Sequence, residues 1–249
     1  MKAPRSHPNP ALYGFSLPDG VPPSGAYYWF MRLGCQILMP PFWRIRVFDR
    51  HHEPARGGAV YIANHQSFLD PMLVGFGLRR PLNYMARASL FRMPGFRQLI
   101  RSVNAFPVRR GTADTGAMKE AMRRIKNGGQ VLVFAEGTRT QTGHVGAFLP
   151  GVALLSRRAA RWTVPVMIDG AFEAWPRTQR WPGIGNIVVR FGEAISQEEA
   201  RKMPPHDFVA GVRNTIISMQ ADARRRLGRK ALDYDGPPPN PGAATAPSP

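Results

Sequence analysis

The sequence predicts an α/β fold in which helices cover a mixed, largely parallel sheet. Short apolar runs of strand length alternate with longer stretches of helical periodicity, and this alternation is typical of strands joined by helices. The 249 residues are enough for one domain of this kind and too few for two of ordinary size. We therefore expect a single sheet built from most of the chain.

Individual strands and helices are predicted from the period of the apolar residues and from the residues that bound each run. Short β-branched and aromatic runs predict six strands, at 59–64, 82–86, 105–108, 130–137, 163–170 and 186–192. Apolar residues spaced three and four apart predict helices at 71–80, 90–101, 113–127, 147–161 and 205–230.

The two ends of the chain differ from its middle in composition. Residues 1–25 are rich in proline, and residues 233–249 consist largely of Pro, Gly and Ala with few side chains able to form a core. We expect a flexible segment at 1–25, a single domain over 26–232 and a disordered Pro-rich tail at 233–249.

An aromatic segment at 26–48 opens the predicted domain. Its Tyr, Trp and Phe residues are interleaved with arginines, which suits an amphipathic helix lying in a membrane interface. The same aromatic side chains could equally belong to the core of the domain. A membrane-spanning helix is excluded here, because Arg32 and the Pro40-Pro41 pair interrupt the apolar run.

The charge of the chain predicts an anionic partner. Lys and Arg number 34 against 16 Asp and Glu, which gives a formal charge of +18 and a pI near 11.4. Nucleic acid, phospholipid headgroups or a phosphorylated substrate would all suit this charge. We expect no nucleic acid, because the arginines are scattered and the sequence lacks zinc-finger spacing and an RNA-binding aromatic strand. A single cysteine, Cys35, excludes an internal disulfide and a cysteine-based zinc site.

The segment from Asn64 to Asp70 lies between a predicted strand and a predicted helix, where open α/β sheets bind ligands. Either Asp70 caps the helix, or it lies one turn inside a helix capped by Ser67. If the loop folds His65 back, the Asp70 carboxylate can hold one imidazole nitrogen and leave the other as a general base. The plainer interpretation is that Asp70 only caps the helix and His65 is a polar loop residue.

A second segment, from Phe134 to Thr140, ends the most apolar predicted strand. Its Gly137-Thr138 turn exposes backbone N–H groups, and Arg139 adds a planar fork of donors suited to phosphate. These features together predict a phosphate cradle. The alternative for Arg139 is a place on a solvated basic surface.

A third segment, 105–111, ends another predicted strand with Arg109 and Arg110. Neighbouring side chains of a strand point to opposite faces, so only one of the two arginines can face the same site. A solvated basic surface is again the alternative.

These segments, in this order, resemble the glycerolipid acyltransferase family, the 1-acylglycerol-3-phosphate acyltransferases and their relatives. The resemblance covers roughly residues 55–195. The family motif N-H-x4-D is matched by Asn64, His65 and Asp70 with Ser67 between them, G-A-F-P-V-D-R-G by 104–111, F-P-E-G-T-R-S by 134–140, and a V-P-V segment by 164–166. Each motif alone is of limited specificity, whereas the ordered set is specific.

The sequence departs from the family pattern at several motif positions. Asn104 stands where glycine is usual, Arg109 where an acidic residue is common, and Ala135 where proline is common. The acceptor pocket would therefore differ from the family's in charge or shape. Another lysolipid, such as a lyso-aminolipid, stays open as the acceptor.

The resemblance implies an O-acyltransferase of phospholipid biosynthesis. It would move a fatty acyl group from acyl-CoA or acyl carrier protein to the free hydroxyl of 1-acylglycerol 3-phosphate (lysophosphatidic acid), giving phosphatidic acid. His65 would be the base and Asp70 its orienting partner, with Asn64 and Ser67 in supporting roles. The thioester is a co-substrate, and neither a cofactor nor a metal is implied.

The resemblance also implies how the acceptor and the membrane are bound. Arg110 takes the place of the phosphate-binding arginine, and with Arg139 and the Glu136-Gly137-Thr138 turn it would hold the acceptor phosphate. Because Glu136 is itself anionic, we expect it to position an arginine or the turn. The aromatic segment and the basic surface would hold the protein on an anionic membrane surface, at the cytoplasmic face of the cell membrane, as a peripheral or monotopic protein.

Overall fold

Strands and helices alternate along the chain, as the apolar pattern predicts. The computed structural model describes residues 25–109 and 114–236. The strands in these ranges are β1 (Trp43–Phe48), β2 (Ala59–Ala63), β3 (Leu82–Arg87), β4 (Ala105–Val108), β5 (Gln130–Phe134), β6 (Trp162–Asp169), β7 (Gly185–Phe191) and β8 (Ile195–Ser196). The helices are α1 (Ala26–Leu38), α2 (Asp70–Gly77), α3 (Phe96–Ser102), α4 (Thr115–Lys126), α5 (Gly151–Arg158), α6 (Ala171–Ala174), α7 (Gln197–Lys202) and α8 (Pro205–Arg226).

The strands of the described residues form one mixed sheet. Their order is β1-β7-β6-β2-β5-β3-β4, with β8 pairing with β6. All neighbouring pairs run parallel except the pairs of β6 with β7 and with β8, which are antiparallel. The predicted α/β fold with a mixed, largely parallel sheet is therefore confirmed, and all six predicted strands are present.

Apolar side chains fill both faces of the sheet. β2 lies between β5 and β6, and every residue of it is buried. Val60 and Ile62 pack into a core with α4, α5 and α8, whereas Tyr61 and Ala63 belong to a second core with α2 and β7. A strand covered on both faces has no polar side, which explains its continuous apolar sequence.

The aromatic segment differs from the predicted helix over 26–48. The helix ends at Leu38, just before Pro40-Pro41, because proline has no backbone N–H to continue the helical hydrogen bonds. Residues 43–48 instead form β1, which pairs in parallel with β7. Apolar residues and arginines alternate in this stretch with the period of a strand, a signal that the aromatic composition concealed.

Other boundaries also differ from the predictions. The helix predicted at 90–101 is divided by Pro94-Gly95 into a short 3-10 turn and α3. The tail predicted to be disordered from 233 onwards is ordered at its start, where Tyr234 is half-buried and hydrogen-bonded to Gln220. The rest of that tail, and residues 1–24 of the predicted flexible segment, lie outside the described residues.

The parallel strands bring the motif segments to one edge of the sheet. β2, β5, β3, β4 and β6 all run in the same direction, so their carboxyl ends meet at this edge, which we call the carboxyl edge. Among the helices of the two described ranges, none combines the length and the apolar character needed to cross a membrane.

Candidate active site

Asn64 connects the end of β2 to the end of β6. Its Nδ2 donates to the backbone oxygen of Ile168, and its Oδ1 accepts from the backbone nitrogen of the same residue, both at 2.8 Å. The side chain is fully buried, so these two bonds satisfy an amide that would otherwise be costly to bury. Asn64 thus fixes the backbone immediately before His65.

His65 and Asp70 form a hydrogen-bonded pair at the carboxyl edge. The distance between His65 Nδ1 and Asp70 Oδ2 is 2.7 Å, and the two side chains are nearly or fully buried, with His65 6% and Asp70 0% exposed. A proton on Nδ1 is donated to the carboxylate, which leaves the lone pair of Nε2 on the opposite side of the ring. The loop therefore brings the pair together as the sequence predicts.

Asp70 holds this loop through its backbone as well. Its Oδ2 accepts from the backbone nitrogens of Gln66, at 2.6 Å, and Ser67, at 2.8 Å. Asp70 is the first residue of α2, after an N-cap position occupied by Leu69. Both capping interpretations are therefore wrong: the carboxylate binds the turn before the helix and not the N–H groups of the helix.

Ser67 links the same turn to the loop after α6. Its hydroxyl donates to the backbone oxygen of Trp175 at 2.8 Å, and its Oγ accepts from the backbone nitrogen of Leu69 at 3.3 Å. The ring of Phe68 packs against Trp175, with the ring centroids 5.3 Å apart. Ser67 therefore has a structural place in the loop, in agreement with a supporting role.

Phe134 fixes the plane of the imidazole. Its ring stacks on that of His65, with centroids 4.0 Å apart and planes inclined by 14°. Phe134 is the last residue of β5, which is adjacent to β2 in the sheet. The sequence reasoning missed this contact, because it depends on which two strands are neighbours.

Glu136 binds the backbone of His65. Its Oε1 accepts from the His65 N–H at 2.9 Å, while the Thr140 N–H donates to the His65 carbonyl at 2.8 Å. The 134–140 segment therefore holds His65 from both sides of its peptide backbone. The expectation that Glu136 positions an arginine or the Gly-Thr turn is wrong, because its hydrogen bonds go to the backbone N–H groups of His65 and Gly146.

Burial makes the Glu136 carboxyl a weaker acid than an exposed glutamate. The pKa of its carboxyl is about 7 overall, raised chiefly by desolvation and also by the nearby charge of Asp70. The backbone N–H groups of His65 and Gly146 and the charge of Arg213 oppose this rise and lower the pKa. Near neutral pH the carboxyl is therefore close to half-ionised.

The remaining residues of the predicted phosphate cradle form the turn after Glu136. Gly137 has a φ of +69°, a left-handed backbone conformation that favours glycine. Thr138 is exposed at the tip of the turn. The Arg139 guanidinium lies over the ring of Phe68, 3.4 Å from its centroid, which places it beside the His65 loop.

The predicted phosphate residue Arg110 lies outside the described residues. Its neighbour Arg109 has a largely exposed side chain, and the Arg109 backbone N–H donates to Asp114. Asn104, which replaces the usual glycine, has a φ of +64°. Because asparagine tolerates this left-handed conformation better than most residues, the substitution preserves the backbone path that glycine would permit.

Gln66 is a further site residue that sequence reasoning missed. It is buried in the His65 loop, where its Nε2 donates to Gly143 O and its Oε1 accepts from the Phe172 backbone N–H. The sequence signal that could have identified Gln66 is its polar side chain between His65 and Ser67, in a loop next to a buried strand. His144 is half-buried against the ring of Tyr234.

The arrangement can perform general base chemistry. The Nδ1 side of His65 is bound by a buried carboxylate, its ring is stacked, and its backbone is fixed at both ends. Such constraints hold an imidazole in one tautomer and one orientation. The guanidinium of Arg139, over the ring of Phe68 in the same loop, supplies donors next to it, whereas the Gly137 N–H is engaged by the Phe134 carbonyl at 3.1 Å.

Comparisons with known proteins bear on the family of this chain. A family model described as Acyltransferase matches residues 44–169. The chain is 27% identical over 201 residues to a 1-acyl-sn-glycerol-3-phosphate acyltransferase of Bacillus subtilis (strain 168), covering 80% of this chain and 98% of the relative. It is 26% identical over 180 residues to a chloroplastic enzyme of the same name from Arabidopsis thaliana, covering 70% of this chain and 50% of the relative.

A solved structure shares the fold. The crystal structure of the 1-acyl-sn-glycerophosphate (LPA) acyltransferase PlsC from Thermotoga maritima superposes with a TM-score of 0.67 at 19% identity, covering 83% of each chain. The present chain spans about half the length of the chloroplast relatives that it matches. Since the family model matches more than half of the 249 residues, the chain belongs to the acyltransferase family.

Proposed function

We propose that the protein transfers a fatty acyl group from a thioester, acyl-CoA or acyl carrier protein, to the free hydroxyl of 1-acylglycerol 3-phosphate, giving phosphatidic acid. The observation that carries this proposal is the His65–Asp70 pair, buried at the carboxyl edge with a separation of 2.7 Å. The names of the relatives, 1-acyl-sn-glycerol-3-phosphate acyltransferases, support this acceptor.

In the proposed reaction His65 is the general base. Its Nε2 takes the proton of the acceptor hydroxyl as that oxygen attacks the thioester carbonyl, and Asp70 stabilises the imidazolium that forms. The new C–O bond forms, the C–S bond breaks, and the leaving thiolate takes the proton from the imidazolium. No acyl-enzyme is required, and the hydroxyl of Ser67 is engaged by the carbonyl of Trp175, which is unsuited to a nucleophile.

The acceptor phosphate is assigned to the turn that follows β5 and to two arginines. Arg139, Gly137 and Thr138 would surround it, and Arg110 would complete the set from the neighbouring segment. This assignment is supported by the position of Arg139 over Phe68, within the His65 loop. Glu136 is no longer included, because its hydrogen bonds serve the backbone of His65 and Gly146.

The membrane is the proposed location of the lipid substrate. Large apolar side chains of α1 and the turn after it are exposed, at Tyr27, Phe30, Leu33, Ile37, Leu38 and Phe42. The loop between α6 and β7 adds Trp181, 73% exposed, and Ile184, 88% exposed, next to Arg177 and Arg180. We call these eight apolar residues the apolar surface. Aromatic residues interleaved with arginines suit an anionic bilayer surface.

Two contacts link the two parts of the apolar surface to each other and to the His65 loop. The indole N–H of Trp43 donates to the Gly183 carbonyl at 2.8 Å, which joins the start of β1 to the loop after α6. The start of the same loop is bonded to Ser67 through the Trp175 carbonyl. We propose that the protein lies on the cytoplasmic face of the cell membrane, as a peripheral or monotopic protein, with the His65 site facing the lipid.

The test is thiol release from an acyl-CoA in the presence of vesicles. Lysophosphatidic acid, glycerol 3-phosphate and an uncharged lysolipid are compared as acceptors, with an acyl carrier protein thioester as a second donor. We expect release that depends on lysophosphatidic acid and that falls by about 10²-fold or more in His65→Ala. His206→Ala is the matched control, because His206 is exposed on α8.

The outcomes separate the parts of the proposal. Release that persists in His65→Ala contradicts the base. Release with only the uncharged lysolipid contradicts the phosphorylated acceptor while leaving acyl transfer in place. An absence of release with every donor and acceptor contradicts the proposed activity as a whole.

A further inference from the structure

The chain after α8 returns to the loop that follows the 134–140 segment. We call residues 231–236 the C-terminal segment and residues 141–148 the motif loop. The Tyr234 hydroxyl accepts from the Val145 backbone N–H at 2.8 Å and donates to Gln220 Oε1 at 2.6 Å. The ring of Tyr234 also packs against His144. A part of the chain far from the family motifs in sequence is thereby attached to the motif loop.

Arg213 of α8 fixes the same two residues of the motif loop from another direction. Its guanidinium donates to the carbonyls of Gly146, at 2.8 Å, and Val145, at 3.0 Å. Tyr234 binds the N–H of Val145 while Arg213 binds its carbonyl, so the peptide groups on both sides of this residue have their hydrogen bonds defined. The conformation of Gly146 is therefore imposed by α8 and the C-terminal segment.

Gly146 in turn contacts the carboxylate that holds His65. A Cβ added to it would lie 2.9 Å from Glu136 Oε2, and its backbone N–H lowers the pKa of that carboxyl. The other carboxylate oxygen, Oε1, accepts the His65 N–H at 2.9 Å. A continuous series of contacts thus leads from the Tyr234 hydroxyl through Val145, Gly146 and Glu136 to the backbone of His65.

We infer that Tyr234 is a positioning residue for His65: its hydroxyl fixes the motif loop so that Gly146 and Glu136 hold the His65 backbone. The inference rests on the proposed function, in which His65 is the base. Tyr234 itself does not contact His65 and is assigned no step of the reaction. Its effect is on the fraction of molecules in which the imidazole has the orientation needed for proton transfer.

The charges around Glu136 give this inference a measurable signature. The carboxyl faces His65 and Asp70 from the β2–α2 loop, Arg213 from α8 and Tyr234 from the C-terminal segment. The hydrogen bond from Gly146 lowers its pKa, so losing that bond raises it. A displaced motif loop therefore makes Glu136 take up its proton at a higher pH, and its hold on His65 weakens there.

The experiment compares Tyr234→Phe with Tyr61→Phe in the full chain. Tyr61 is the matched control: its hydroxyl is buried in the core and has no hydrogen-bond partner in the described part of the chain. For Tyr234→Phe we expect kcat to fall about tenfold, the acceptor KM to change less than twofold, and the acidic limb of the kcat profile to move to higher pH. Tyr61→Phe is expected to leave all three unchanged.

Hydrogen exchange tests the same series of contacts without using activity. The backbone amides of Val145, Gly146 and His65 are expected to exchange faster in Tyr234→Phe than in the wild type and in Tyr61→Phe. If these amides respond while the wild type transfers no acyl group, the proposed function fails and the physical coupling stands. The inference is overturned if the exchange rate of the His65 amide is the same in Tyr234→Phe and the wild type. It is also overturned if both Phe variants lose kcat equally and neither shifts the acidic limb of the kcat profile.

Discussion

The two motif segments at the carboxyl edge have opposite characters. The segment from Asn64 to Asp70 is almost entirely buried, and its polar groups are bonded to each other, to β6 and to Glu136. The turn from Gly137 to Arg139 is partly open, and Thr138 is exposed at its tip. The proposed base is therefore buried in the core, whereas the proposed acceptor site is open to the surface, where a lipid headgroup can enter.

The largest effect is expected on the buried side, from Asp70→Asn. The change removes the negative charge that stabilises the imidazolium and permits the wrong imidazole tautomer, so kcat should fall by about 10³-fold or more. The amide oxygen can still accept from the N–H groups of Gln66 and Ser67, which should preserve the loop. Steady-state kinetics with a thermal unfolding control checks this. A loss of less than about tenfold in a folded variant contradicts the role of Asp70.

Glu136→Gln measures how the buried carboxyl behind His65 affects the free energy of unfolding as the pH changes. The folded-state pKa of Glu136, about 7, lies above its ordinary value of 4.5, so the folded protein binds this proton more tightly than the unfolded chain. The stability that results is complete below pH 4.5 and is lost as the pH rises through 7. Relative to Glu136→Gln, the wild type should lose up to about 3 kcal/mol of unfolding free energy over this interval.

Denaturant unfolding of the two proteins between pH 4.5 and pH 8 provides the measurement. Subtracting the two curves removes every group that titrates equally in both proteins. Parallel curves across this interval would show that Glu136 has the same acidity in the folded and unfolded states, contrary to the burial described here.

Arg139→Ala tests the open side. We expect the KM for lysophosphatidic acid to rise by about tenfold or more, because a charged hydrogen-bond partner of the phosphate is lost, while the KM for the thioester changes little. Arg139→Lys should recover only part of the loss, since an ammonium group cannot reproduce the planar fork. The control is an uncharged lysolipid. If Arg139→Ala impairs the use of both lipids equally, the phosphate assignment is wrong.

The smallest effect is expected at the apolar surface. Trp181→Ala should weaken binding to anionic vesicles several-fold and leave kcat for a detergent-dispersed acceptor unchanged. Met203→Ala is the control: Met203 is also exposed, but it follows α7 at the end of the sheet where β8 pairs with the start of β6. Vesicle co-sedimentation compares them, and equal binding by both variants contradicts the membrane role of the loop after α6.

The sequence predicts local features of this molecule better than contacts between distant segments. The fold class, the six strands and the pairing of His65 with Asp70 follow from apolar periodicity and from a spacing that a single loop can close. β1 was missed because aromatic residues and arginines suit both an interfacial helix and an edge strand. The stacking of Phe134 on His65 depends on strand order, which no local pattern contains.

The same limit applies to Glu136 and Tyr234. An anionic residue in a phosphate-binding motif has no obvious partner in the sequence, and its actual partner, the N–H of His65, is 71 positions away. Tyr234 lies in a Pro-rich region whose composition predicts disorder, and a single aromatic residue there does not reveal that it binds Val145. The first contact depends on β2 and β5 being neighbours in the sheet, and the second depends on where the chain runs after α8.

In the proposed reaction Asp70 acts through His65. A cycle of His65→Ala, Asp70→Asn and the double variant tests it most directly, with the rate of thiol release in the presence of lysophosphatidic acid as the readout. We expect the double variant to be as slow as His65→Ala to within about threefold, because the carboxylate has no role once the imidazole is gone. If the two losses multiply instead, Asp70 contributes independently of His65, and the account of the site as one base and its orienting partner is wrong.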